Sequence, residues 1–144
     1  VNKYMNINIK KLHPEAKLPQ YAHPGDVGMD MYTLEEKTLQ PGELYVFECG
    51  FAMEFPIGYA AIVKDKGSVS KMGLHTFGGV YDAGYRGQYN AGIINHSGKE
   101  ITVEKGQKIA QIVIFPVEIP TLKEVDELSE SERGEGRYGS TGKF

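Results

Sequence analysis

The chain has 144 residues, with 16 Lys and Arg against 19 Asp and Glu and a formal net charge of -3. That is one domain's worth of chain with no global basic footprint, which argues against nucleic acid as a partner. With 18 Gly, 7 Pro and only short apolar runs, the composition favours many short strands over a helical bundle and offers no stretch near the roughly 18 residues of a membrane span.

Residues 4 to 10 alternate apolar and polar, with Met5, Ile7 and Ile9 on one side, which predicts a half-buried opening strand. A proline-bearing connection follows, and a second strand runs from Gly25 to Tyr32. Within it Asp30 lies between Met29 and Met31 and points away from their face, as a solvated residue or as a placed carboxylate. Leu44 to Phe55 is an apolar stretch broken at Cys49-Gly50, and Tyr59 to Val63 reads as a short buried strand. The lone Cys49 excludes an intrachain disulfide, and the first ten residues carry no apolar signal core, so the expectation is a soluble, cytoplasmic protein.

From Lys64 to Gly73 three lysines alternate with small and hydroxyl-bearing residues. Such a stretch suits a phosphate cradle, and equally a solvated Gly/Ser loop. Residues 78 to 95 carry the most information: Gly79 to Tyr81 and Tyr89 to Ile94 flank a Gly-punctuated centre, which predicts a β-hairpin. Asp82, Tyr85 and Arg86 place an acid, a stacking face and a cation on it, a set suited to processing a polyanion. Asp before Ala-Gly is also what a turn wants.

Glu100 to Val103 and Gln107 to Val117 read as further strands, with Gln111 the polar exception in the second. A buried amide must find partners, and a ligand can be one. Lys123 to Glu132 is acidic, after which residues 133 to 144 hold two arginines, Tyr138, Ser140 and Thr141 among glycines. This reads as a lid that closes on a phosphorylated ligand, or as a disordered tail. The four histidines have no metal-ligand spacing, and no nucleophile elbow or P-loop is present.

Five of these stretches resemble, in order, the five motifs of the dUTPases, which share a fold with the deoxycytidine triphosphate deaminases. They are Gly25 to Met31, Asp65 to Leu74, Gly79 to Gly87, Lys105 to Gln111, and Arg133 to Gly142. The resemblance implies an all-β, distorted jelly-roll of short strands spanning residues 1–132, with a mobile arm at 133–144, assembled as a homotrimer whose sites are shared between subunits. It implies hydrolysis of dUTP to dUMP and pyrophosphate, with Asp82 deprotonating the water that attacks the α-phosphorus. Mg2+ is expected mainly on the phosphates, with Asp30 reached through water.

The same resemblance puts Tyr85 beneath the deoxyribose, where it leaves no room for a 2′-hydroxyl. The backbone around Gly79, Val80, Tyr81 and Asp82, together with Asn90, reads uracil, and Thr76 falls where some members contact the base. Ser68, Gln111, Arg133, Ser140 and Thr141 fall to the phosphates, Lys66, Gly67 and Gly139 to the substrate-binding stretches of the second and fifth motifs, and Tyr138 stacks on the base as the arm closes. Arg137, outside the family pattern, is expected to restore phosphate charge. Two departures stand out. Lys66-Gly67 replaces the usual Arg-Ser, turning a bidentate clamp into a single charge, and Arg137-Tyr138 replaces Gly-Phe. The rival readings are a deaminase, against which Gly92 stands where those enzymes carry a proton-shuttling glutamate, and a regulatory protein whose nucleotide site gates a protein contact.

Overall fold

The computed structural model describes residues 5–144, so Tyr4, at the start of the expected first strand, lies outside them. Every paired strand in it is antiparallel. The larger sheet has four strands in the order β2 (Gly28–Tyr32), β11 (Lys108–Pro116), β6 (Tyr59–Lys64) and β8 (Val80–Tyr81). A three-stranded sheet runs β4 (Leu44–Glu48), β9 (Asn90–Asn95), β7 (Leu74–Phe77). Two ladders complete the body: β1 (Asn8–Lys11) with β5 (Phe51–Glu54), and β3 (Lys37–Leu39) with β10 (Ile101–Val103). The one helix is a single turn, α1 (Gly67–Ser70), pinned by the buried Val69. Among the described residues no helix is long and apolar enough to cross a membrane.

Period-2 alternation builds the core. Ala91, Ile93 and Asn95 of β9 point inward with Phe47 of β4 and Leu74 of β7, and meet Met31, Leu39, Phe51, Tyr89, Ile109 and Ile112. Asn95 is the polar member, fully buried, and its amide is satisfied: Nδ2 donates to Leu39 O and Lys99 O at 3.0 and 2.8 Å, and Oδ1 accepts from Ser97 N and Oγ. A buried amide so partnered fixes the turn after β9 instead of costing stability.

Two expectations are corrected. The strands at Val80–Tyr81 and Asn90–Asn95 do not form a hairpin: β8 pairs with β6, and β9 with β4 and β7, in separate sheets. The Tyr81 hydroxyl stands in for the missing ladder, donating to Asn90 O and accepting from Asn90 N, both at 3.0 Å. The opening strand lies at Asn8–Lys11 and all four of its residues are exposed, with Ile7 alone of the expected apolar face packed on the core. The alternation is present, but within one chain β1 has only β5 beside it and nothing over its face.

Candidate active site

Because successive strand residues face opposite ways, burying Met31 in the core sends Asp30 to the other side of β2. It is no solvated face: Asp30 is 4% exposed, with Lys66 Nζ 2.7 Å from Oδ1 and Lys108 Nζ 2.8 Å from Oδ2. Burial pushes this carboxyl up, but hydrogen bonds from Lys108 and Lys66 outweigh it and hold the group below the usual carboxylate range. Asp30, Lys66, Gln111, Gly28, Val27 and Asp26 line a cleft of roughly 270 Å³. Gln111 donates from Nε2 to Asp65 O at 2.8 Å, and Gly28 is bare where a Cβ would overlap the Gln111 side-chain oxygen. Gly67 opens α1 with nothing within 4 Å of where a side chain would start, so packing does not exclude a serine there. Ser68 is exposed on the same turn, beside Lys71 in a neighbouring cleft.

A second cluster forms where β8 leaves the sheet. Tyr81 stacks on Tyr89 with ring centroids 4.1 Å apart, and Tyr85 leans on both at 5.4 and 5.8 Å. Tyr89 is fully buried, and burial with the neighbouring tyrosines pushes its hydroxyl up to about 12. Tyr85 is held at its tip by donation to Gln88 O, and the residue is 41% exposed. Asp82 is exposed, and its carboxylate makes no hydrogen bond or ion pair among the described residues. Asn90 Oδ1 is buried and has no donor among the described residues. Both backbone groups of Asn90 are bonded to the Tyr81 hydroxyl, which leaves the side chain as the free part of Asn90. Arg86 turns back to Ala83 O at 2.7 Å and to Glu54 at 3.3 Å. Its charge serves the turn, against the polyanion role expected of it.

Thr76 has both its N–H and its hydroxyl donating to Asp65 Oδ1 at 2.7 Å. Gly79 donates no side chain but its carbonyl accepts from Val63 N at 2.7 Å, and its φ of +98° suits glycine. A Cβ on Gly92 would sit 2.8 Å from the Phe77 ring, so the space a deaminase glutamate needs is filled. Beyond Val117 N, which donates to Gly58 O, no backbone hydrogen bond among the described residues ties the C-terminal segment to the body. Arg133 Nε donates to Gly136 O, the Arg137 guanidinium covers the Tyr138 ring at 5.2 Å, and Ser140 and Thr141 share a groove with Arg133. Gly139 supplies the left-handed turn before them, at φ +82°.

One chain therefore holds the candidate residues in three separate groups. Asp30 on β2 and Asp82 after β8 are separated by three strand spacings across the sheet and also along the strands, since Asp30 is level with Lys64 while Tyr81, just before Asp82, is level with Ala61. Among the described residues no hydrogen bond from residues 133–144 reaches either. Lys108 and Asp65 were not singled out from the sequence as site residues. The signal was there for Lys108: a carboxylate between two methionines needs counter-charges, and this lysine sits inside the fourth motif. No three His, Cys, Asp or Glu side chains gather among the described residues, and Asp30 is already neutralised by two ammonium groups.

The dUTPase family profile matches residues 14–142. The chain belongs to the dUTPase family. It is 44% identical over 140 residues to the deoxyuridine 5'-triphosphate nucleotidohydrolase of Clostridium tetani, covering 95% of this chain and 97% of that one. The Alkaliphilus metalliredigens enzyme of the same name is 41% identical over the same shares. Among solved structures, a substituted dUTPase of Staphylococcus bacteriophage 80alpha bound to dUpNHpp superposes with a TM-score of 0.87 at 31% identity, covering 95% of this chain and 98% of that one. A variant dUTPase of phage phi11 of S. aureus, described as coordinating a structural Mg(II) ion, matches at a TM-score of 0.79 and 26% identity over 87% of this chain and 99% of that one. The fold expected of a dUTPase is thus the fold found.

Proposed function

We propose that this chain hydrolyses dUTP to dUMP and pyrophosphate, by attack of water on the α-phosphorus with Asp82 as general base. The observation that carries the reading is the orphaned Asn90 Oδ1, a buried acceptor beside Tyr81 with no donor among the described residues. A buried polar atom left unpaired costs about 1–3 kcal/mol, and the N3–H of uracil is the donor that relieves it. The edge strand β8 adds an open backbone edge at Val80 and Tyr81 for the base carbonyls. The part-exposed Tyr85 lies under the sugar, where a 2′-hydroxyl would collide with it.

Asp82 is unpaired and exposed, so its carboxylate is free to orient a water and accept its proton. The bond formed joins that water oxygen to the α-phosphorus, and the bond broken releases pyrophosphate. Lys66 and Lys108 both hold Asp30 and are the cations that the phosphates meet beside Gln111, with Asp26 a second carboxylate in the cleft lining. Ser68 and, from the arm of residues 133–144, Arg133, Arg137, Gly139, Ser140 and Thr141 complete the phosphate contacts, while Tyr138, 95% exposed, stacks on uracil as the arm closes as a lid. Mg2+ brought with the nucleotide would supply charge neutralisation of the phosphates, and Asp30, already the counter-ion of Lys66 and Lys108, would reach it only through water.

The separation of the three groups of residues supports a homotrimer in which neighbouring copies complete each site. Pyrophosphate and ammonia release from dUTP, dCTP, dTTP and UTP, with Mg2+ and with EDTA, tests the reading. Mg2+-dependent pyrophosphate from dUTP alone is the expected result. Ammonia from dCTP, or no turnover of any nucleotide, overturns it.

A further inference from the structure

Asp65 follows the last residue of β6 and precedes Lys66, yet it is not among the residues lining the cleft. Its side chain crosses from the four-stranded sheet to β7 of the other sheet. There Oδ1 accepts from Thr76 N and Thr76 Oγ1, each at 2.7 Å, and Oδ2 meets His75 Nδ1 at 2.6 Å. Three donors on one carboxylate fix it at both oxygens. Its main-chain carbonyl faces the other way and takes the Gln111 amide at 2.8 Å. Lys64, one residue back, is in register with Gln111 across the β6–β11 ladder.

Gln111 is thus held at its N–H by the Asp65 carbonyl, and bare Gly28 leaves room for its oxygen. An amide has two faces of opposite polarity, and which one it turns to a phosphate decides whether it attracts or repels. Here one Nε2 hydrogen is bonded to the Asp65 carbonyl, which fixes the amide with its oxygen on the Gly28 side and leaves the second Nε2 hydrogen as the donor for a phosphate; the carboxylate decides where that peptide sits.

We propose that Asp65 is a positioning residue for triphosphate binding: its carboxylate, tied to Thr76 and His75, locks the peptide whose carbonyl orients the Gln111 amide into the phosphate cleft. This rests on the dUTPase reading of the cleft. The alternative is a staple that only joins the two sheets, which would alter stability and leave nucleotide affinity alone.

The test is a double-mutant cycle read as the dissociation constant for the non-hydrolysable dUpNHpp with Mg2+, by titration calorimetry on the full chain, beside thermal midpoints. Asp65→Ala is expected to weaken binding about tenfold, the scale of one well-aligned hydrogen bond to a charged group. Asp65→Asn, which keeps an oxygen for Thr76 and can donate to the other His75 tautomer, recovers affinity to within about twofold of wild type. In a Gln111→Ala background Asp65→Ala has no further effect on affinity. Should Asp65→Ala fail to fold, Asp65→Ser, which keeps one acceptor, enters the same cycle with an expected loss of about threefold.

Equal losses with and without Gln111, or a lowered midpoint with unchanged affinity, overturn the proposal. A wild type that binds dUpNHpp but does not turn over dUTP refutes the hydrolase reading and leaves this cycle readable. A wild type that binds no dUpNHpp overturns both.

Discussion

The ammonium of Lys66 lies 2.7 Å from Asp30 Oδ1, so the cation at the head of the second motif is anchored before any nucleotide arrives. A lysine is a point charge on a flexible stem, and alone it would lose rotamer entropy on gripping a phosphate. Tethered to a carboxylate that Lys108 shares, it offers a fixed position instead. That arrangement offsets part of what the replacement of arginine takes away.

Asp30→Asn is therefore expected to destabilise the fold more than it disturbs metal dependence. It leaves Lys66 and Lys108 facing each other with no counter-charge, which should lower the midpoint by about 5 °C near neutral pH. The sign of the pH dependence follows from the direction of the shift. The folded carboxyl is held below its ordinary 3.8, so its contribution is complete above that value and is lost as pH falls through the lower folded value. The gap between wild type and variant should close on acidification below about pH 4. Thermal melts of both proteins from pH 3 to 7, and the Mg2+ concentration giving half-maximal turnover, check this. A large rise in that Mg2+ concentration with an unchanged midpoint would restore Asp30 as a metal-linked residue.

Gly28→Ala separates affinity from stability. Its methyl would overlap the Gln111 side-chain oxygen, the far end of a flexible chain, so the side chain swings away and the backbone stays. Its bond to the Asp65 carbonyl is lost with that swing. We expect KM for dUTP to rise about tenfold with a midpoint within about 2 °C of wild type. Steady-state kinetics beside a thermal melt decides it; a collapse of the midpoint would mean that β2 itself is displaced.

Much of the fold was legible because Met29 and Met31 flank Asp30 in β2, because β4, β5, β6 and β11 are apolar runs of strand length, and because Gly or Pro marks the turns at Pro41-Gly42, Cys49-Gly50, Pro56-Ile57-Gly58 and Lys105-Gly106. The strands Lys37–Leu39 and Leu74–Phe77 were missed because both are short and polar outside. Their identity comes from pairing with β10 and β9. The one-turn helix Gly67–Ser70 has no period to read and is set by burying Val69. The hairpin reading failed for a related reason: local sequence specifies strands and turns, but which strand a partner pairs with is decided by packing, and the Tyr81 hydroxyl satisfies Asn90 without a ladder. For the site, residue types at motif spacing pointed to Asp82, Tyr85 and Gln111. The roles of Lys108 and Asp65 depend on contacts between residues 78 and 11 positions apart in the chain, from Asp30 and to Thr76, which no local pattern announces.

Cys49 gives a probe of the core. It is fully buried, with burial pushing its thiol up to about 12, so the native protein holds almost no thiolate at neutral pH. A disulfide reagent such as Ellman's should leave native protein unmodified over an hour and react with one thiol per chain on denaturation. Rapid modification of native protein would mean that the sheets part readily around Phe47 and Ala91.

The sharing of sites can be tested by mixing two inactive proteins. Asp82→Asn lacks the base but keeps its arm, and is expected to lose about 10³ in kcat while still binding dUpNHpp. A chain ending at residue 132 keeps Asp82 but lacks the arm. Since among the described residues no backbone hydrogen bond ties residues 133–144 to the body, their removal leaves the body's backbone hydrogen bonds in place. If each site takes Asp82 from one copy and the arm from another, random reassembly of an equal mixture leaves about a quarter of the sites with both, by the symmetry of a closed ring. Recovery of about that share of wild-type turnover after dissociation and reassembly is the expected outcome, with the mass of three chains in sedimentation. If the arm served its own chain's Asp82, no site in the mixture would be complete and turnover would stay at the level of the parents.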